Sequence, residues 1–191
     1  MREEADWHLL APGPSASQQL ADKLPRPLLG VVTSAYRLAP DARFLCSTDS
    51  KFWRNESAAK NFAGHKFTIC GAPGITRVRM AVVNSGVFAL EMAKRSGAKR
   101  IFLHGFDMHG THFFGQYTNG CANTKPDKRA HHMSEYQDWE RANRQHVEVI
   151  NCTRGSSLTC FRFATEKEIA HIFGQARKPK RSGVKPIGWI A

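Results

Sequence analysis

Short, unbroken apolar runs alternate along this chain with longer stretches in which apolar residues recur every three or four positions. The clearest case is the stretch from Val82 to His112. Asn84-Ser85-Gly86 predicts a turn and a helix start; Val87, Leu90, Ala93 and Lys94 follow at helical spacing, with Phe88 and Met92 beside them. Ser96-Gly97 predicts the helix stop. Ile101-Phe102-Leu103, bracketed by Lys99, Arg100 and Gly105, then reads as a strand covered on both faces. Gly105, Asp107, His109 and His112 follow where that strand ends.

The same alternation recurs on either side. Trp7 to Ala11 predicts a first strand, running through Gly13-Pro14-Ser15 into a helix that reaches about Leu24, with Ser15 or Ser17 as its cap. The first-turn N–H groups of that helix would offer a phosphate site. Leu28 to Val32 predicts a second strand ending in Thr33-Ser34, and Phe44 to Thr48 a third with Asp49 at its end. A polar helix or loop follows over 55–64, and Lys66 to Cys70 reads as a fourth strand. Residues 109–130 lose all periodicity and are rich in Gly, His, Asn and Lys, as in a lid or binding loop. A polar helix over 131–146, with Tyr136 and Trp139 placed to pack, leads to a strand from Val147 to Cys152. Thr165, with Glu168 three residues on, predicts a capping box for a last helix over 166–173.

Strand and helix in alternation predict one Rossmann-like α/β domain over residues 1–175, with a mostly parallel, doubly wound sheet, helices on both faces and the lid at about 109–130. Residues 176–191 read as a basic, solvated tail. Polar residues cluster after strands, at Gly13–Ser15, Thr33–Ser34, Asp49, Asn84–Gly86 and Asp107, all on the rim where open α/β sheets bind ligands.

Charge narrows the partner. The chain carries 28 Lys+Arg against 16 Asp+Glu, a net +12, which favours an anion: nucleotide phosphate, nucleic acid or acidic glycan. Five cysteines, with no C-x-x-C pair, suit a reducing compartment. The acidic start MREEADWH lacks the apolar core of a signal peptide, and no run approaches the roughly 18 apolar residues of a membrane span, so a cytoplasmic protein is expected.

Candidate chemistry is sparse. The sequence holds no Walker A motif, no G-x-G-x-x-G and no G-x-S-x-G, which weighs against a P-loop kinase, a dinucleotide oxidoreductase and an α/β-hydrolase. His109-x-x-His112, His131-His132 and Cys121 match no zinc spacing. Asp49 and Asp107, if at neighbouring strand ends, would suit Mg²⁺ held against a di- or triphosphate; helix capping is the competing role. His131 or His132, at a helix start after the lid, has the pKa range of a general base; a surface histidine is the alternative. Arg77, Arg79, Lys125 and Arg129 are available to neutralise phosphate.

The Gly13-Pro14-Ser15 turn, the segment VVTSAYRLAPDARFLCSTDSKFW and the segment NSGVFALEMAKRSGAKRIFLHGFDM together resemble one superfamily. It includes sialyltransferase-like glycosyltransferases and 6-hydroxymethylpterin diphosphokinase MptE-like proteins, and the layout is closest to its bacteriophage and prophage members. The resemblance spans about residues 8–172. Its sialyltransferase-like side implies a Rossmann-like sheet that binds a CMP-sugar without a metal cofactor. The Gly13-Pro14-Ser15 turn would lie near the nucleotide phosphate and Ser85-Gly86 beside the nucleotide. Thr33 stands where the family usually has a donor-contacting Asn. The general base would be His131 or His132, and a lid tyrosine, Tyr117, would assist the phosphate leaving group. The MptE-like side implies Mg²⁺-dependent diphosphate transfer from ATP, with Asp49 and Asp107 at the metal. The sequence is therefore read as a transferase with a nucleotide-linked phosphate donor and a hydroxyl acceptor. A diphosphokinase and a non-catalytic phage protein that binds nucleic acid are the alternatives.

Overall fold

The computed structural model describes residues 5–123 and 125–175; the predicted basic tail lies outside the described residues. Eight strands form one sheet: β1 (Ala5–Leu10), β2 (Leu29–Val32), β3 (Phe44–Cys46), β4 (His65–Thr68), β5 (Thr76–Arg77), β6 (Ala98–His104), β7 (Glu148–Asn151) and β8 (Arg162–Phe163). Their order is β5-β4-β3-β2-β1-β6-β7-β8, and every neighbouring pair is parallel. The chain winds outward from β1 to β5, then returns to lay β6 on the other side of β1. The reversal leaves a crevice between the C-terminal ends of β1 and β6, the topological switch point of an open α/β sheet. This is the Rossmann-like α/β architecture that the alternating pattern predicts.

Among the described residues six α-helices accompany the strands: α1 (Gln18–Ala21), α2 (Ser50–Asn55), α3 (Ser57–Lys60), α4 (Ser85–Arg95), α5 (Pro126–Asn143) and, after β8, α6 (Glu166–Gln175). Side chains alternate across each strand, so each supplies both faces. One face buries Trp7, Leu9, Phe44, Ile101 and Leu103 against Phe88, Leu90 and Met92 of α4 and Tyr136 and Trp139 of α5. The other buries Leu10, Val31 and Leu45 against Ala21 of α1, Phe52 and Trp53 of α2 and Ala59 of α3, with Phe173 of α6 at its margin. Gly30 makes room on the α4/α5 face: a Cβ there would come within 2.2 Å of the Phe44 ring, which packs 5.5 Å from Trp7.

Several elements differ from expectation. The helix after Ser15 is a single turn, Gln18–Ala21, capped by Ser17, whose hydroxyl accepts the Leu20 N–H; Pro25 and Pro27 stop any extension toward a longer helix. One turn is too short to form the phosphate-binding helix end the sequence suggests. Helix α5 starts at Pro126, a residue whose fixed φ suits the first helical position. His131 and His132 therefore lie in its second turn rather than at its start, and the lid ends before Pro126. The short edge strand β5 has no signature in the apolar pattern because both of its residues are exposed. The strands that precede Asp49 and Asp107 are not neighbours, since β2 and β1 lie between β3 and β6. At about 4.8 Å per strand step, the two strand ends are ~14 Å apart.

Candidate functional site

The rim is built from strand ends outward. After β1 the chain continues to bond with β6: the Ala11 N–H donates to the His104 carbonyl at 2.9 Å and the Gly13 N–H to the Gly105 carbonyl at 3.0 Å. The Ser15 hydroxyl donates to Asp107 Oδ2 at 2.9 Å, and the Ser15 N–H points to the same oxygen at 3.3 Å. Asp107 is nearly buried, so its carboxylate is turned inward to tie the Gly13-Pro14-Ser15 turn across the switch point. Gly13 is required there, since a Cβ would meet Asp107 Oδ2 at 2.1 Å and the Gly105 carbonyl at 2.4 Å. Beyond β6, the Thr153 hydroxyl accepts the Phe106 N–H at 3.0 Å, the Ser156 hydroxyl donates to the Phe106 carbonyl, and the Ser157 N–H donates to the Asp107 carbonyl. The turn after β6 is thus held from both sides.

At the end of β2, Thr33 has φ +43°, a left-handed conformation rare for a β-branched residue. Ser34, next in line, is fully buried, and its Oγ lies 2.5 Å from Tyr117 Oη. Burial pushes the Tyr117 phenol up from its ordinary pKa, against hydrogen bonds with Ser34 and Thr33 that lower it, so the phenol keeps its proton. Tyr117 belongs to the lid, which crosses the rim. The Phe113 N–H donates to the Pro12 carbonyl at 3.0 Å, and Phe114 lies under the Arg37 guanidinium at 4.7 Å. His112 stacks on Phe114 and meets Tyr117 edge-on. The far end of the lid reaches the α2–α3 junction, where Asn119 donates to Glu56.

At the end of β3, Asp49 caps α2 by accepting the Lys51 N–H at 2.7 Å. Thr48 beside it donates its N–H to Ser85 Oγ at 2.9 Å, which ties the start of α4 to the rim. Asn84 caps α4, its Oδ1 accepting the Gly86 and Val87 N–H groups. Gly86 is where helix α5 comes closest: a Cβ would fall 1.9 Å from Tyr136 Oη. Glu135, on α5, accepts the Val83 N–H at 2.9 Å, while its second carboxylate oxygen is buried without a hydrogen-bond partner among the described residues. His132, one helical turn before Glu135, is half-buried; burial lowers its pKa, opposed by the Glu135 charge. His131 is exposed.

The lid thus seats its Tyr117 on Ser34 and rests on the Gly13-Pro14-Ser15 turn through the Phe113 N–H to the Pro12 carbonyl, while Ser85 stands at the start of α4 and His132 in the second turn of α5. Asn84, Gly86 and Asp107 make structural contacts in the same region. Asp49 stands apart as a helix cap. Asp49 and Asp107 follow strands three steps apart and are engaged separately, Asp49 on the Lys51 N–H and Asp107 on Ser15, and among the described residues no group of three or more His, Cys, Asp or Glu side chains could hold a metal. Of the predicted phosphate neutralisers, Arg129 donates to the Gly110 carbonyl of the lid, whereas Arg77 bonds the Ile69 carbonyl beside the β5 edge. Sequence reasoning passed over Arg37 and Glu56. Arg37 lies three residues beyond Ser34, a position that marks a rim cation; nothing local marks Glu56, whose partners come from tertiary contacts.

No family model matches this chain, and no curated protein or solved structure shows significant similarity to it.

Proposed function

We propose that the protein is a transferase that takes a nucleotide-linked phosphate donor in the β1/β6 crevice and passes the linked group to a hydroxyl acceptor, in the manner of sialyltransferase-type glycosyltransferases. One observation carries this reading: Tyr117 of the lid is seated on the strand-end pair Thr33-Ser34 of β2, the strand next to the β1/β6 switch point where open α/β sheets take ligands. The turn Gly13–Ser15 lies under the same lid, its Gly13 and Ser15 N–H groups held by the Gly105 carbonyl and Asp107 Oδ2. In the reaction, the bond from the donor sugar carbon to the phosphate oxygen breaks and a bond to the acceptor oxygen forms. His132, kept neutral by burial, takes the acceptor proton. The departing phosphate keeps the electron pair and receives the Tyr117 O–H as a hydrogen-bond donor.

The Mg²⁺-dependent diphosphokinase reading needs two carboxylates on one ion, and the separation of Asp49 from Asp107 counts against that arrangement. The test uses a CMP-linked sugar, with donor hydrolysis by water as the readout in place of an unidentified acceptor. His132→Ala should lower turnover by 10²-fold or more and leave CMP affinity within a factor of about two. Tyr117→Phe should lower turnover while folding normally. Turnover indifferent to both substitutions would overturn the assignment of roles.

A further inference from the structure

Glu56 is the carboxylate that no step above employs, although it is only 5% exposed. It stands where α2 gives way to α3 and gathers three donors from two separate segments. Tyr36 Oη donates to Oε2 at 2.9 Å and Arg37 Nη2 to Oε1 at 2.7 Å, both from the turn that follows Thr33-Ser34. Asn119 Nδ2 donates to Oε1 from the lid. Burial alone would raise the Glu56 carboxyl, but the hydrogen bonds from Arg37 and Tyr36 outweigh it and hold the group below its ordinary range, so it stays ionised. A buried ionised carboxylate with three donors is a strong tie. Around it, Cys121 is buried with Sγ 3.9 Å from the Lys51 carbonyl and its N–H donating to Asn119, while Asn123 is exposed and its side chain bonds the Tyr117 backbone.

We propose that Glu56 is the latch of the lid: by joining Asn119 to Tyr36 and Arg37, it holds Tyr117 on Ser34 and closes the crevice. With the lid latched, Ser34 is fully covered, so a donor reaches the end of β2 only after the latch has opened. Glu56 is a positioning residue, acting on the crevice through Asn119 and Tyr117. The proposal rests on the crevice being the ligand site, but its test requires no ligand, so the two fail separately.

The test is amide hydrogen exchange on the full chain, comparing wild type with Glu56→Gln and Asn119→Ala. Glu56→Gln should speed exchange about tenfold or more across residues 109–123 and 33–37 while β1 and β6 keep wild-type protection. Asn119→Ala should speed exchange across 109–123 alone, and the double variant should add little to Glu56→Gln because both act on one contact. Unchanged lid exchange in both single variants overturns the proposal, as does a uniform rise that includes β1 and β6. If Glu56→Gln does not fold, Asn119→Ala decides by the same criteria.

Discussion

Thr33 holds a left-handed backbone that costs a β-branched residue of order 1 kcal/mol or more, and it does so at the end of a central strand, where the lid tyrosine rests. Asn adopts this conformation more readily because its short amide bonds locally. Thr33→Asn should therefore stabilise the fold by about 1 kcal/mol, read as a melting temperature higher by roughly 2–4 °C. A lower melting temperature would mean that the Thr33 side chain contributes more than its backbone costs. Gly13 is constrained in the opposite sense. Gly13→Ala should destabilise by about 2 kcal/mol or more in denaturant titration, since the Gly105 carbonyl is backbone and the new methyl has no free path past it. A wild-type midpoint would show that the β1 and β6 loops separate at little cost.

Among the elements, α6 covers the least expected feature of the sheet. His8 on β1 and His104 on β6 are buried side by side, Nδ1 to Nε2 at 3.0 Å, so one imidazole donates to the other and both are neutral. His8 stacks on Phe102, and His104 faces Phe173 of α6. Burial lowers His8 from 6.5 to about 4, against the charge of Asp6, and drives His104 well down. The unfolded chain thus binds protons that the folded chain refuses. The stability from neutral His8 is complete above pH 6.5 and is lost as pH falls toward 4, about 3 kcal/mol in all. Urea titrations at pH 7.5 and 4.5 should show that loss, and His8→Gln should flatten the slope by about one proton; an unchanged slope would place the proton uptake elsewhere. The elements themselves were largely legible in sequence where the pattern was strong. The Asn84 start of α4, the β6 run and the Thr165/Glu168 box all formed as the residues dictate, the Glu168 carboxylate accepting the Thr165 N–H at 2.8 Å and its own N–H donating back to the Thr165 hydroxyl. The first five residues of α5, 126–130, were not legible as helix, because Asp127-Lys128-Arg129-Ala130 carries no apolar stripe. Asn84→Ala should cost about 1 kcal/mol by removal of the α4 cap, measured by thermal unfolding.

At the scale of the whole molecule, winding order decides which strand ends share the rim. Local sequence could mark Asp49 and Asp107 as strand-end carboxylates, but the outward run from β1 to β5 and the return to β6 separate them by two intervening strands. The same winding brings Gly13–Ser15 beside Asp107, and the lid, carried across β1 and β2, places Tyr117 on Ser34 over 83 residues of sequence separation. Pairings across such separations leave no periodic trace, which is why Glu56 and Asn119 emerge only in the folded chain. No helix among the described residues is long and apolar enough to cross a membrane.

The decisive measurement is a thermal-shift series with CMP, UDP, ATP and a short DNA duplex, each with and without Mg²⁺. A ligand bound only by the native state raises the transition, by about 2.7 kcal/mol of stability at a hundred times its Kd. Stabilisation by CMP or UDP that persists without Mg²⁺ is the predicted result for a nucleotide-linked donor in the β1/β6 crevice. A shift given only by DNA, or only by ATP with Mg²⁺, would contradict it.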